Sequence, residues 1–277
     1  MRLYWAYNFR IKDQEKKAII MFVIKFDGRK EIFDKDKIMK TCMNAGVKKD
    51  EATAISEKIS NRISNGTSTE DIYRMIIDEI NAKQAMLFRL REAISKLDSQ
   101  SFEIYVKRIL ENNGYECTWN KILQGKCIEH QIDIIAEKSG KQYLVECKHH
   151  RNHHRYLGLG TALQVQARLE DILDKGHACD VWLVTNTKFS EHAKIYSDKK
   201  GITTTGWCYK GDLALDKLIH GSKMYPVTLL DASNDTRRKL LASRMITIND
   251  IAEEKNAIKI IGEKNFDVIE KQLQELQ

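Results

Sequence analysis

The sequence predicts a mixed α/β (α+β) chain in three parts: a small α/β module, a larger core built on a central mixed sheet, and a helical tail. Three observations carry that reading. Short apolar runs flank an Asp-Gly pair at Asp27-Gly28, and longer ones flank a Ser-Gly pair at Ser139-Gly140, which is the pattern of tight β-hairpins. Each hairpin is followed by segments whose apolar residues recur at helical spacing. Beyond Pro226, the only proline, a short apolar run leads into a charged helical pattern. The expected divisions are a leader over residues 1–20, the small module over 21–95, the core over 96–225 and the helical region over 226–277.

A chain of 277 residues, 42% of them apolar, can bury a sizeable core, and its length favours two domains over one. The net charge of +7 is spread along the chain, so it supports a nucleic-acid partner only as a prior. Six cysteines at irregular spacing, with no CxxC pair and no secretory leader, argue for a reduced, cytoplasmic protein. No apolar run approaches the roughly 18 residues of a membrane span.

The leader is aromatic and basic, lacks the apolar core of a signal peptide and is expected to be disordered and to carry no chemistry. Val23 to Phe26 and Lys30 to Phe33 then read as strands, because Asp-Gly suits a two-residue type I′ loop in which both residues take positive φ. Asp34 can cap a helix carrying Lys37, Ile38 and Cys42. A second helix spans residues 49–64. The third starts near Thr67, with Ser68 and Asp71 at capping-box spacing, and is expected to run on to Ser95.

These residues resemble the ATP-cone, the nucleotide-binding regulatory domain of ribonucleotide reductases and a related transcriptional repressor. The matching pattern is Val23-x-Lys25-x-Asp27-Gly28, Glu31, Phe33-Asp34-x-x-Lys37-Ile38 and Thr69-x-Asp71-Ile72. The resemblance implies that Lys25 and Lys37 supply ammonium groups to the polyphosphate of ATP or dATP, and that Glu31 and Thr69 hydrogen-bond the nucleotide. Phe26 stands where the family has Arg or Lys, which removes one phosphate contact. A small module with lysines as mere surface charge, or a degenerate cone that only dimerises, are the alternatives.

Ser99 opens a further helix, with Phe102, Val106, Ile109 and Leu110 on one apolar stripe and Glu103 beside it. A strand over Tyr115 to Trp119 comes next, then the second hairpin. A helix over 163–175, a strand over Asp180 to Thr185, a helix over 190–199 and a strand over 202–207 complete a mixed sheet with helices on both faces.

The register of the second hairpin follows from its loop. With Ser139 and Gly140 at the turn, Lys138 faces Lys141, Glu137 faces Gln142, and Asp133 faces Glu146. Opposite residues share a sheet face about 4.5 to 5.5 Å apart. Lys148 is two residues beyond Glu146, on the same face. Two carboxylates and an ammonium make a poor core but a good seat for a divalent metal, with the Cys147 carbonyl available to complete the shell.

This segment resembles the PD-(D/E)XK nucleases, most closely the Mrr-like restriction endonucleases, with Asp133 as the isolated acid and Glu146-Cys147-Lys148 as the E-x-K. Ser101-Phe102-Glu103-Ile104-Tyr105, Gly114-Tyr115 and the strand over 180–185 extend the likeness. It implies Mg²⁺ held at Asp133, Glu146 and Cys147, with Lys148 activating or positioning water. It also implies 5′-phosphate and 3′-hydroxyl ends. Glu103 matches a helix-borne Glu that reaches the metal or its water, or is an exposed helix charge. Two departures stand out: Glu129-His130-Gln131-Ile132 replaces a Gly/Asp-rich segment, and the family's helical Gln is met only loosely by Gln164 or Gln166. A solvated surface hairpin is the rival reading of the motif.

The link after Lys148 holds four histidines between His149 and His154. Adjacent His-His pairs rarely aim at one zinc ion, so a basic loop on the phosphate backbone, led by Arg151 and Arg155, is the preferred reading. His130 fits either a site or a packed structural role. In the tail, two short helices follow residue 236, and the last stretch forms an amphipathic helix that dimerises or docks.

Together these features predict a Mg²⁺-dependent DNA endonuclease regulated by ATP or dATP, acting as a homodimer or nucleotide-dependent oligomer without a membrane. The alternative is a nucleotide-sensing DNA-binding regulator with a non-catalytic nuclease fold. Because the cone is distant in sequence from the catalytic hairpin, nucleotide control is expected to act through shape or assembly.

Overall fold

The computed structural model describes residues 21–25, 28–209, 211–253 and 257–276, so the leader over 1–20 and the turn residues Phe26 and Asp27 lie outside the described residues. Strands β1 (Phe22–Ile24) and β2 (Lys30–Ile32) form the first hairpin, with Val23 opposite Glu31. The two-residue loop expected there is not what closes it. Lys25 N–H donates to Arg29 O at 2.8 Å, and Gly28 takes a φ of 81°. Ile24 therefore lies opposite Lys30, one residue away from the pairing a two-residue loop would give.

Helices α1 (Lys35–Asn44), α2 (Lys49–Ser60) and α3 (Thr69–Ile77) pack on this hairpin through Val23, Ile38, Cys42, Ile55, Ile59 and Ile72. Asp34 caps α1 by accepting from Asp36 N–H, and Ser68 caps α3 by accepting from Asp71 N–H, as the spacing predicts. The third helix does not run on to Ser95. It stops at Ile77, and α4 (Ala82–Phe88) and α5 (Leu90–Ser95) follow as separate pieces. Asn81 and Gln84 cause the break: Gln84 N–H donates to Asn81 Oδ1 at 2.9 Å and Asn81 N–H to Gln84 Oε1 at 3.0 Å. That reciprocal box satisfies the donors of a new helix start.

The core begins with α6 (Ser99–Asn112), then β3 (Glu116–Gln124), β4 (Glu129–Lys138), β5 (Lys141–Lys148) and the two-residue β6 (Tyr156–Leu157). Helix α7 (Leu159–Asp174), β7 (Asp180–Thr185), β8 (Lys188–Phe189), α8 (Glu191–Lys200) and β9 (Thr203–Thr205) complete it. The five-stranded sheet has the order β3-β4-β5-β7-β9, antiparallel as far as β5 and parallel beyond it. Helix α6 covers one face with Phe102, Val106, Ile109 and Leu110, and α7 and α8 cover the other with Val165, Leu169, Ile172 and Ala193. The mixed sheet with helices on both faces is therefore as predicted. The small parallel pairing of β6 with β8 is not, because two-residue strands leave no periodic pattern to read.

The remaining helices are α9 (Leu215–Ser222), α10 (Asn234–Ala242), α11 (Ile248–Glu253), α12 (Ala257–Ile261) and α13 (Glu263–Leu276). The last amphipathic stretch is split at Gly262, whose φ of 82° no helix can carry. Leu230, Leu240, Ile246, Ile269 and Leu273 share one buried cluster with Phe102, Tyr105 and Trp182, so the tail docks on the α6 side. Tyr105 Oη donates to Met224 O at 2.6 Å, and Thr228 Oγ1 donates to Ala93 O at 2.7 Å. Among the described residues no helix is long and apolar enough to cross a membrane.

Candidate active site and nucleotide pocket

The hairpin that carries the acidic pair has the register its loop dictates. Ser139 (φ 52°) and Gly140 (φ 74°) form the turn, Lys138 lies opposite Lys141, and the pairing continues to Ile134 opposite Val145. The ladder ends there, one pair short of Asp133 and Glu146. On the other side of β4, Asn120, which counts opposite Asp133, drops out of the β3 ladder with a φ of 53°. Ile132 packs into the α7-side cluster and Ile134 into the α6-side cluster. Strict alternation would put both on one face, so the strand changes face at Asp133. The carboxylate still reaches β5, by a different route: its Oδ2 accepts the backbone N–H of Cys147 at 2.8 Å.

Glu146 is 7% exposed and held from two sides. Lys148 Nζ lies 2.6 Å from its Oε1, and Arg168 of α7 donates to its Oε2. Arg168 is a site residue the sequence reading missed. Its signal was its place between Val165 and Leu169, both buried on the helix face that covers the hairpin. The helical glutamines lie apart from this contact: Gln164 is exposed, and Gln166 Nε2 donates to Glu170 on its own helix at 2.9 Å. Glu103 approaches from α6, where Trp119 Nε1 donates to its Oε2 at 3.1 Å. Burial pushes its carboxyl up, and the charges of Glu146 and Lys148 reach it. The Cys147 side chain points into the α6-side core, where burial pushes its thiol well above the usual range, so only its backbone faces the site.

Burial, and then the charge of Glu146, push the Asp133 carboxyl up to about 6 despite the Cys147 N–H it accepts. The two cations nearest this pair, Lys148 and Arg168, are both engaged on Glu146, so the Asp133 carboxylate is the one that lacks a cation of its own. Among the described residues no three His, Cys, Asp or Glu side chains converge to hold a metal ion by themselves. The donor set is thus two carboxylates with backbone in reach, which fits Mg²⁺, an ion that commonly takes one or two carboxylates and fills its shell with water and substrate oxygens.

The histidine loop does not aim at an ion. His149 Nε2 is 3.1 Å from Ile94 O and its ring packs 5.2 Å from that of Phe102, while the His153 and His154 rings lie 4.2 Å apart. Asn186 holds both the N–H and the C=O of His150, at 2.9 and 2.8 Å, and Thr185 Oγ1 donates to Lys148 O at 2.7 Å. His130 takes the structural role: its Nε2 lies 2.7 Å from Asp171 Oδ2 on α7. Asp171 Oδ1 also accepts Cys127 N–H at 2.8 Å, fastening the β3–β4 turn to that helix. Gly125 permits the contact, since a Cβ there would meet Asp171 Oδ2 at 2.1 Å.

In the small module, Lys25, Glu31, Lys37 and Thr69 line one cavity of about 330 Å³. Glu31 Oε1 lies 3.1 Å from Lys25 Nζ and 2.5 Å from Lys37 Nζ. Tyr73 and Phe88, with ring centroids 4.7 Å apart, form an aromatic wall. The far side comprises Arg91 from α5 and Tyr156 and Lys188 from the core strands β6 and β8.

Comparison with known proteins finds two domains in the same order. The chain matches the ATP cone domain family over residues 21–110 and the restriction endonuclease family of the Mrr catalytic type over residues 94–205. An uncharacterized protein of Archaeoglobus fulgidus is 38% identical over 144 residues, a span of 52% of this chain and 82% of that protein. The crystal structure of a protein of unknown function, AF1548, is similar with a TM-score of 0.56 and 33% identity, covering 65% of this chain and 98% of the other. The chain belongs to the family of these two relatives, and within it carries an ATP cone domain followed by a restriction endonuclease domain of the Mrr catalytic type.

Proposed function

We propose that the protein is a Mg²⁺-dependent DNA endonuclease whose cutting is controlled by ATP or dATP in the cone pocket. The observation that carries this reading is the meeting of Asp133, Glu146 and Lys148 at the point where β4 changes face. Asp133, Glu146 and the Cys147 carbonyl would hold the metal, which when bound supplies Lewis-acid stabilisation to charge building on the scissile phosphate. Lys148 Nζ orients the attacking water and a phosphate oxygen, and Glu103 holds a hydrogen bond to that water from the α6 side. Water adds to phosphorus and gives up a proton, the P–O3′ bond breaks, and the departing 3′ oxygen takes up a proton, which leaves 5′-phosphate and 3′-hydroxyl ends.

A groove of about 1130 Å³ supports the choice of DNA. It runs past Ser101 and Ile104, which flank Glu103, and is lined by Arg151 of the histidine loop and by Arg237, Arg238 and Arg244 of the tail. Such cations position a duplex through its phosphates without reading sequence. Cutting both strands takes two sites, so the active form is a homodimer or a nucleotide-dependent oligomer. Six free cysteines suit a reducing cytoplasm.

One observation favours a second reading. Lys148 and Arg168 already balance Glu146 without a metal, as they would in a DNA-binding regulator that never cuts. Cleavage of supercoiled plasmid with Mg²⁺ decides between them. Wild-type protein should nick or linearise it, while Asp133→Ala should lose cutting and keep DNA affinity. Equal cutting by the variant would remove Asp133 from the site, and no cutting by wild type with any divalent ion or nucleotide would favour the regulator.

A further inference from the structure

The cone pocket is not closed by the cone alone. Its far wall includes Tyr156 and Lys188, paired in the β6–β8 ladder, and Arg91. Arg91 is a partly buried cation in this wall, its guanidinium 5.8 Å from the Trp207 ring centroid. Its Nη2 donates to His153 O, its Nε has no partner, and it forms no ion pair among the described residues. Burial lowers its charge affinity so far that the guanidinium is pushed down to about 10. Lys188 is exposed and likewise forms no ion pair among the described residues. Among the described residues, two cations without ion-pair partners thus line the same cavity as Lys25 and Lys37, which both pair with Glu31; with Arg29 and Asp34 also in the lining, the cations still outnumber the carboxylates. An anion carrying several charges would satisfy this excess.

The same wall is tied to the catalytic strand. The segment between Lys148 and Tyr156 is anchored at four points. Thr185 bonds Lys148 O, Asn186 bonds both backbone groups of His150, Arg91 bonds His153 O, and Lys188 pairs with Tyr156. Two of these anchors, Arg91 and Lys188, line the cavity, and the other two stand within three residues of Lys188 on the chain.

We propose that Arg91, Tyr156 and Lys188 complete the nucleotide site, so that the polyphosphate bridges the cone and the nuclease core and its presence is felt by the loop that follows Lys148. This rests on the reading of Lys25 and Lys37 as phosphate ligands. Arg91 and Lys188 take the outer phosphates, Lys25 and Lys37 the inner ones, and Tyr156 is held against the site by the Arg29 guanidinium 5.8 Å above its ring. The nucleotide then acts on the anchors of residues 149–155 directly, by drawing Arg91 and Lys188 toward itself.

The test uses the full chain and isothermal titration with ATP and AMP. Lys188→Ala, an exposed substitution that leaves packing intact, should weaken ATP roughly 10-fold, the effect of losing one charge-assisted contact, and AMP less than about 2-fold. Lys188→Arg should restore ATP affinity, and Arg91→Gln should repeat the selective loss. In hydrogen exchange, ATP should change protection of residues 149–156 in the wild type and not in Lys188→Ala. If Lys25→Ala weakens ATP while Lys188→Ala and Arg91→Gln bind as wild type, the bridging site is overturned and the cone reading stands. If wild type binds no ATP, both fall.

Discussion

Glu31 and Glu146 are each clamped between two cations, and they differ in how much water surrounds them. Glu31, with Lys25 and Lys37, has a side chain 37% exposed, whereas Glu146, with Lys148 and Arg168, has one 9% exposed. In the open triad water screens every charge, so a lysine can leave the carboxylate for a phosphate at little cost. In the buried triad, withdrawing a partner strands a charge in a poorly solvated place, so its cations stay unless another cation takes over. The first arrangement suits a site that fills and empties; the second suits a permanent catalytic charge pattern.

Glu146→Gln is the harshest way to break the comparison. It should reduce cleavage by roughly 10³-fold, since one of the two carboxylates proposed to hold the metal is lost. It should also destabilise the protein by about 1–3 kcal/mol, a figure discounted because Lys148 and Arg168 remain partly solvated. Glu31→Gln should cost less than about 1 kcal/mol. Chemical denaturation of both variants reads the difference, and equal losses would mean that burial does not separate the two triads.

A middling effect is expected in the open triad's ligand response. Wild-type protein with ATP at one hundred times its dissociation constant should gain about 2.7 kcal/mol by mass action, seen as a rise in Tm, and Lys25→Ala/Lys37→Ala should show almost none. An unchanged rise in the double variant would place the nucleotide elsewhere.

The smallest effect concerns the loop between the sites. Burial and then the neighbouring His154 push His153 down to about 4 from an ordinary 6.5. Its folded-state pKa lies below the unfolded one, so the unfolded chain binds more protons between those values. Its contribution is therefore intact above pH 6.5 and lost as the pH falls toward 4. With the ring partly solvated, the loss should be on the order of 1 kcal/mol. Denaturation at pH 7 and pH 4.5 should show a smaller acid penalty for His153→Gln than for wild type.

Local chemistry was legible wherever neighbours in sequence decide geometry. Ser139-Gly140 dictated the hairpin register as far as Ile134 and Val145, and Asp34 and Ser68 cap the helices they precede. The Asn81–Gln84 box was equally local and was overlooked, because the apolar pattern across it invites a continuous helix. Arg168 was hidden for another reason: one arginine beside a buried stripe says nothing about which strand it will meet.

The sequence by itself determined the two modules, their order and the turns and caps within each, since periodicity, caps and turn residues act over a few positions. Only the tertiary structure decided that β4 changes face at Asp133, that Arg168 closes on Glu146, and that the cone cavity borders the loop after Lys148. The sequence suggested control at a distance, through shape or assembly. The fold sets Tyr156 and Lys188 in the wall of the cavity that the cone's lysines line, because β6 and β8 pair across thirty-odd residues through backbone hydrogen bonds, which leave no side-chain pattern to read.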